Sequence, residues 1–438
     1  KMKRMLSIVG SLLGLLVLIG LAVVLAMTFG GLRRAAEPAS QAFQSPIETP
    51  TQPPYPLPAT PTRPSIPTIP PTVTRAPKPL PSPTPIPTAT PVPTPLPLPP
   101  SAFYALWAEN YPEGQGSVLW LADPRDIGSR REMLRFERDA IAEAALSPNG
   151  RKLALVTIYW KTAMLWVANV DGTELQQLDQ AAALGGLFWN RDGRSLTYSI
   201  GWREEVMMPS EKTGTPGSVP VWRGAVELVN VATGEKRRLL ETDPDMPLSV
   251  LGWSADGREL YYSLGLPQES GYEYEIWSVD RNGQSAHKII SLGREAVYPL
   301  LSPDGTKFLI GTPEGLTWIS ADGTTQQVII QPGLGFTAIW APEGHDVVVG
   351  QWELSRSGVV VRAINGHTRL SQEIGLIKSV GDWRVLALSP DRRWLAAYHY
   401  YTGLYWIHLP SEMIVPVPSQ DQGNIFVAWI PAAQGAGK

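Results

Sequence analysis

The sequence predicts an all-β fold: a seven-bladed β-propeller closed by pairing of its N- and C-terminal strands, preceded by one transmembrane helix and a Pro-rich linker. Three observations carry this. A Ser-Pro-Asp-Gly type of turn between short apolar strands recurs along the second two thirds of the chain. Strand-like runs before the first copy and after the last add up to one further blade. Proline crowds residues 38–100, just behind a long uncharged apolar stretch. The domain boundaries that follow are an anchor over 1–36, an extended Pro/Thr-rich linker over 37–100 and the propeller over 101–438.

Composition agrees with a split chain. Of 43 prolines, 24 lie between Pro38 and Pro100, and all 16 tryptophans lie after Ser101. The near-neutral total charge of −3 hides 29 basic against 38 acidic residues in 101–438. A domain that acidic lacks the basic footprint of a nucleic-acid binder, so nucleic acid is not an expected partner. With no cysteine in 438 residues, disulfides, thiolate metal sites, a Cys nucleophile and a lipid-modified N-terminal Cys are all excluded.

Lys1, Lys3 and Arg4 precede an uncharged run over 5–32, rich in Leu, Val, Ile, Ala and Gly. A bilayer core takes about 20 helical residues, and this run exceeds that. A cleaved signal peptide has an apolar stretch of roughly 7–15 residues, so the length favours a retained anchor over cleavage near 40–42. Three basic residues before the run against Arg33 and Arg34 after it lean towards a cytoplasmic N-terminus and an extracytoplasmic propeller. Gly10, Gly14 and Gly20 offer a surface for packing on another helix. In 37–100, proline removes amide donors and fixes φ, which leaves extended polyproline II, a semi-rigid spacer.

The repeats begin with ALSPNGRKLALVT at 145–157 and FWNRDGRSLTYSI at 188–200. GWSADGRELYYSL follows at 252–264, LLSPDGTKFLIGT at 300–312, IWAPEGHDVVVGQ at 339–351 and ALSPDRRWLAAYH at 387–399. A degenerate seventh, AWIPAAQG, starts at Ala428. Between the turn positions Gly150, Gly193, Gly257, Gly305, Gly344, Arg392 and Ala433 the spacings are 43, 64, 48, 39, 48 and 41. A period of about 40–50 residues made of short strands is a propeller signal. Where these residues occur in the turns, Pro presets φ, Asp or Asn bonds nearby backbone, and Gly takes the left-handed conformation. A second strand, such as MLWVANV or LYWIHL, ends in a turn of the DG kind, and a further strand completes four per blade.

The W-S-P-D-G turn, then an apolar strand, then an aromatic strand ending in D-G-x, resembles TolB-type β-propeller repeats over 141–438, in six clear copies. WD-type repeats fit less well, because their Gly-His and Trp-Asp signatures are absent. The resemblance implies the fold.

Closure follows from counting. Six repeats leave one strand at 425–430 and three strand-like runs at 103–108, 118–122 and 132–136. One plus three completes a seventh blade and removes an open edge. Both ends of the domain then arrive at the face bearing the SPDG turns, and a stalk leaving there would point the opposite face away from the membrane.

That opposite face is rich in aromatic residues, and a 23-residue insertion, 202–224, is read as one of its loops. Trp160, Trp202, Trp222, Trp352 and Tyr400 are the candidate partner anchors, since Tyr and Trp pair large apolar area with a polar tip. For any one of them, packing on the blade tops is the competing reading. Catalytic, cofactor and metal motifs are not evident. The five histidines, His287, His345, His367, His399 and His408, have no metal-ligand spacing. Gly252-Trp253-Ser254-Ala255-Asp256 departs from a serine-hydrolase elbow at Asp256 and sits in a repeat turn. Glu204 with Glu205, and Asp243 with Asp245, read as solvated loop acids.

Two functions remain. One is a membrane-tethered, extracytoplasmic module that binds protein or glycan on its membrane-distal face, as a scaffold or a subunit of a larger surface assembly. The alternative is a propeller enzyme, a lyase or glycoside hydrolase, with its site at the central channel mouth. Titratable side chains clustered at the channel mouth would favour the enzyme; a flat aromatic plateau would favour binding.

Overall fold

In the computed structural model, the described residues are 102–209, 216–268, 271–293, 297–312, 315–330, 336–379, 381–419 and 423–431. They form 28 strands in seven antiparallel four-stranded sheets. The closing blade runs, from its innermost strand outward, Asn424–Pro431, Phe103–Asn110, Ser117–Asp123 and Asp126–Phe136. Phe103 lies opposite Pro431, Ala105 opposite Trp429 and Glu109 opposite Asn424, so the ring is zipped by its two ends as the strand count predicts. The other blades, numbered one to six, begin with the inner strands Ala140–Leu146, Ala183–Trp189, Leu248–Trp253, Val297–Leu301, Phe336–Trp340 and Trp383–Leu388. Each inner strand leads through the repeat turn into the second strand, which places all these turns at one end of the ring. Phe103 and Pro431 meet at that same end.

The turn is built by more groups than Pro, Asp and Gly. Ser147, Ser254, Ser302 and Ser389 each donate a hydroxyl to the acid or amide two residues on, at 2.6–2.9 Å. Each hydroxyl also accepts the N–H five residues on, at 2.9–3.0 Å. A buried serine thus closes the turn from below while the acid closes it from above. Gly305 shows why glycine follows. Its φ is 71°, and a Cβ there would lie 2.6 Å from the Trp253 carbonyl oxygen of the preceding turn. Neighbouring turns touch among the described residues, from the turn at Gly150 to the turn at Arg392.

Tryptophans tie blade to blade. Trp189 donates its indole N–H to the Ala145 carbonyl, Trp253 to the Thr197 hydroxyl and Trp340 to the Leu300 carbonyl, at 2.9–3.0 Å. Between these ties the blade faces bury Val, Leu and Ile, and the core is a set of interblade layers. The layer beside the closing blade is the most aromatic, with Phe103, Trp107, Trp394, Trp406 and Trp429 all buried. Trp107 meets Trp406 edge-on at 5.8 Å, and Trp429 touches Phe103 at 5.4 Å and Trp406 at 5.6 Å. Such pairs add about 0.5–1.5 kcal/mol each beyond the area they bury. The seam that joins the two chain ends therefore carries concentrated packing.

One expectation is corrected. The insertion at 202–224 is not a loop. Ser195–Pro209 and Pro216–Asn230 pair continuously, from Asn230 opposite Ser195 to Pro216 opposite Pro209. The neighbouring strands stop at Gly201 and Ala225, so the hairpin continues as a two-stranded arm. Trp202 lies opposite Arg223, and Trp222 opposite Arg203. Directly opposed residues share a face and adjacent residues alternate, so the two tryptophans sit on opposite faces of the arm.

Among the described residues no helix is long and apolar enough to cross a membrane. The expected span at 5–32, the anchor over 1–36, the linker over 37–100 and the degenerate turn at Ala433 lie outside the described residues.

Candidate functional site

Opposite the repeat turns, the ring ends in the loops between second and third strands. Five Trp and Tyr rings among the described residues are exposed, and all five are here: Tyr159, Trp160, Trp222, Tyr400 and Tyr401. They belong to blades one, two and six, which with the closing blade are consecutive around the ring.

The local structures that hold them differ. Trp160 and Lys161 form a two-residue turn between the paired residues Tyr159 and Thr162. Trp160 has a φ of 56° and is 69% exposed. Glycine, Asn or Asp is the ordinary occupant of such a position, and a bulky residue with positive φ is uncommon. Trp222 is clamped through its backbone: its N–H donates to the Asp245 carboxylate at 2.9 Å, and its carbonyl accepts from the Asp245 N–H at 2.7 Å. The ring, not the main chain, is left to solvent. Tyr400 and Tyr401 meet edge-on at 5.0 Å in the three-residue turn between His399 and Gly403.

Two sequence candidates face inward instead. Trp202 is half-buried beneath the Arg238 guanidinium, 5.2 Å from its ring, and Arg238 is itself held by Glu227 and Glu241 at 2.8 and 2.7 Å. Trp352 is half-buried against the apolar layer between blades five and six. The structure thus brings Trp160, Trp222 and Tyr400 to the surface of this end and turns Trp202 and Trp352 into packing. The paired-acid candidates are also occupied: Glu204 contacts Arg223, Glu205 accepts from Ser218, and Asp245 clamps Trp222.

Sequence reasoning missed a cleft of about 200 Å³ between blades five and six, lined by Ser379, Trp383, His399, Thr402, Tyr405 and Ile414. Its residues come from three separate segments. Trp383 lies opposite His399, and His399 opposite Gly403, which puts their rings on one face with Tyr405 two residues further on. The Trp383 ring lies 4.9 Å from His399 and 5.1 Å from Tyr405. Tyr405 donates its hydroxyl to Thr402, and Thr402 bonds His399 Nδ1, both at 2.7 Å. The aromatic density of 398–405 was the available signal.

The inner strands carry two charged residues, Glu143 and Arg384. Glu143 accepts the N–H groups of Gly186 and Leu187, both at 2.8 Å, and so pins the bulged inner strand of blade two. Removal from water pushes its carboxyl above the usual range, against the pull of those two N–H donors. Among the described residues, no three His, Asp or Glu side chains gather as a metal-holding group.

Fold and site together define the class: a seven-bladed propeller with an aromatic end opposite its turns. No family model matches the chain, and no curated protein matches it. Solved structures do. An oligogalacturonate lyase in complex with manganese superposes with a TM-score of 0.50 at 12% identity, covering 73% of this chain and 85% of that one. TolB from Acinetobacter baumannii is 16% identical, with a TM-score of 0.41 and coverage of 63% of both chains. The Pyrococcus horikoshii acylaminoacyl peptidase is 15% identical at a TM-score of 0.47, and this chain spans about half of its length, 48%. At such identities the likeness shows the fold alone, since one fold hosts many unrelated functions.

Proposed function

We propose that this protein is a membrane-tethered, extracytoplasmic propeller that binds a protein or glycan partner through the end opposite its repeat turns. The carrying observation is that every exposed Trp and Tyr ring among the described residues lies at that end. A ring turned to water forgoes burial worth about 1.5–3 kcal/mol, and binding recovers it. Trp160 adds backbone strain in favour of the same presentation. The anchor and stalk read from the sequence would hold this end outward. Anchor residues 5–32 are the proposed contact with the bilayer, with the N-terminus cytoplasmic.

The enzyme alternative needs reactive groups converging on the channel mouth. The inner strands offer Glu143, already engaged by two backbone donors, and Arg384. That is thinner support than the aromatic end has.

The test is capture of partners by full-length protein extracted from membranes in mild detergent, with mass spectrometry of what co-purifies. Trp160→Ala and Trp222→Ala should each weaken capture at least tenfold, the effect of losing an anchor worth about 2 kcal/mol, with little change in melting temperature. Trp352→Ala should lower the melting temperature instead. Capture that survives the loss of both exposed rings would sink the proposal.

A further inference from the structure

Resting on the binding reading above, we infer that the cleft between blades five and six is the subsite for a neutral pyranose ring. Its walls, its polar groups and its charge point to that chemistry.

The walls are the rings of Trp383, His399 and Tyr405, a curved apolar surface suited to the C–H face of a sugar. At about 200 Å³ the cleft is smaller than the roughly 300–1,000 Å³ of pockets for drug-sized ligands, and holds a single ring. Beside it the exposed pair Tyr400 and Tyr401, with Tyr401 6.1 Å from His399, continues the aromatic surface outward for a second sugar of a chain.

The polar groups sit around these rings. Ser379, Thr402 and Tyr405 bring three hydroxyls, of which Thr402 and Tyr405 are already ordered through His399. The imidazole is wedged in place: it occupies the space of a side chain at 381, where a Cβ would lie 2.2 Å from Nε2, and Gly381 leaves that space free. Trp383 is more than nine-tenths buried and its indole N–H has no accessible surface, so it serves as the packed back wall, and the groups that can meet a ligand are the hydroxyls of Ser379, Thr402 and Tyr405. A prolyl ring also offers a C–H face, but it brings one carbonyl against three hydroxyls.

Charge selects neutrality. Among the described residues, the cleft is lined by no Asp, Glu, Lys or Arg. The nearby Lys378 and Glu412 are paired with each other. An anionic or cationic ligand would be desolvated here without a counter-charge, which is unfavourable.

The experiment uses the full chain and three probes, the methyl pyranosides of glucose, galactose and mannose, read by saturation-transfer NMR and titration. At least one should bind, with affinity in the millimolar range. Tyr405→Phe, which keeps the ring and removes the hydroxyl, should weaken it about tenfold. Tyr401→Ala, at an exposed position that leaves the fold alone, should weaken the corresponding methyl disaccharide by a similar factor and carries the test if Tyr405→Phe fails to fold. Binding of none of the three probes overturns the inference, as does equal binding by both variants, or binding of a Pro-rich decapeptide in place of the sugars. The two readings fail separately. Sugar binding lost while Trp160 and Trp222 still govern capture removes only the pyranose subsite. Sugar binding present while capture ignores the exposed rings removes only the broader face.

Discussion

Arg392 bonds Glu343 of the neighbouring repeat turn at 3.0 Å from the left-handed position that glycine takes in five other turns. Its φ is 59°, and the same guanidinium also reaches Asp346 at 2.9 Å. Three charge-assisted bonds to two acids, two to Glu343 and one to Asp346, therefore offset a backbone conformation that disfavours a Cβ. These two turns meet through ion pairs, where the turns at Gly305 and Trp253 meet through close backbone approach.

This relationship sets the order of two variants. Arg392→Ala keeps the Cβ and loses the bonds to both acids, whereas Arg392→Gly loses them but relieves about 1–2 kcal/mol of left-handed strain. The pair is partly exposed, so its bonds are each worth no more than about 1 kcal/mol. Urea denaturation should find the glycine variant near wild type and the alanine variant about 1 kcal/mol or more below it. A glycine variant less stable than alanine would contradict the account.

Closure makes a longer-range prediction. Deleting 423–438 removes the inner strand of the closing blade and strips Phe103 and Trp406 of their contacts with Trp429. Trp429→Ala is the milder form, costing about 3–5 kcal/mol as a large aromatic deletion in a packed layer. Both should raise proteolytic cleavage in blade six as well as in the closing blade, mapped by mass spectrometry of the fragments. Cleavage confined to residues before 137 would mean that the ring does not act as one unit.

Trp160 separates strain from binding. Trp160→Gly relieves the positive φ at about 1–2 kcal/mol and adds roughly 0.5–1 kcal/mol of unfolded-chain entropy. The melting temperature should hold or rise while partner capture falls. A clear drop in melting temperature would show that the indole packs on the blade in solution.

Glu143 gives the inner strands a pH signature. Its folded carboxyl titrates above its unfolded value, so between the two the native state holds more protons. By linkage, stability is fully present below the unfolded value and declines as pH rises through the folded one. Glu143→Gln has no such slope. The stability difference between wild type and Glu143→Gln, measured in urea from pH 4 to 7, should shift against wild type as pH rises. A flat difference, or one of opposite sign, means that the Gly186 and Leu187 donors outweigh desolvation.

What the sequence determined by itself is the repeat and its closure. Blade count, the end-to-end pairing of 103–108 with 425–430 and the shared end of the turns all follow from local patterns: period-two strands, turn residues and the tally of strands left over. Such patterns are written in short segments, and closure has only one way to use the leftovers. Tertiary structure decided which rings are free. Trp202 and Trp222 look alike in sequence, but the register of the arm sends them to opposite faces, and register is a property of pairing. Trp352 is packing because Val361 and Ile377 lie in the layer it meets. The cleft joins 379–383, 399–405 and Ile414, brought together by strand pairing and packing, so no local motif records it. The turn serines and Arg392 were visible as letters, but their bonding roles depend on neighbours five residues or a whole blade away.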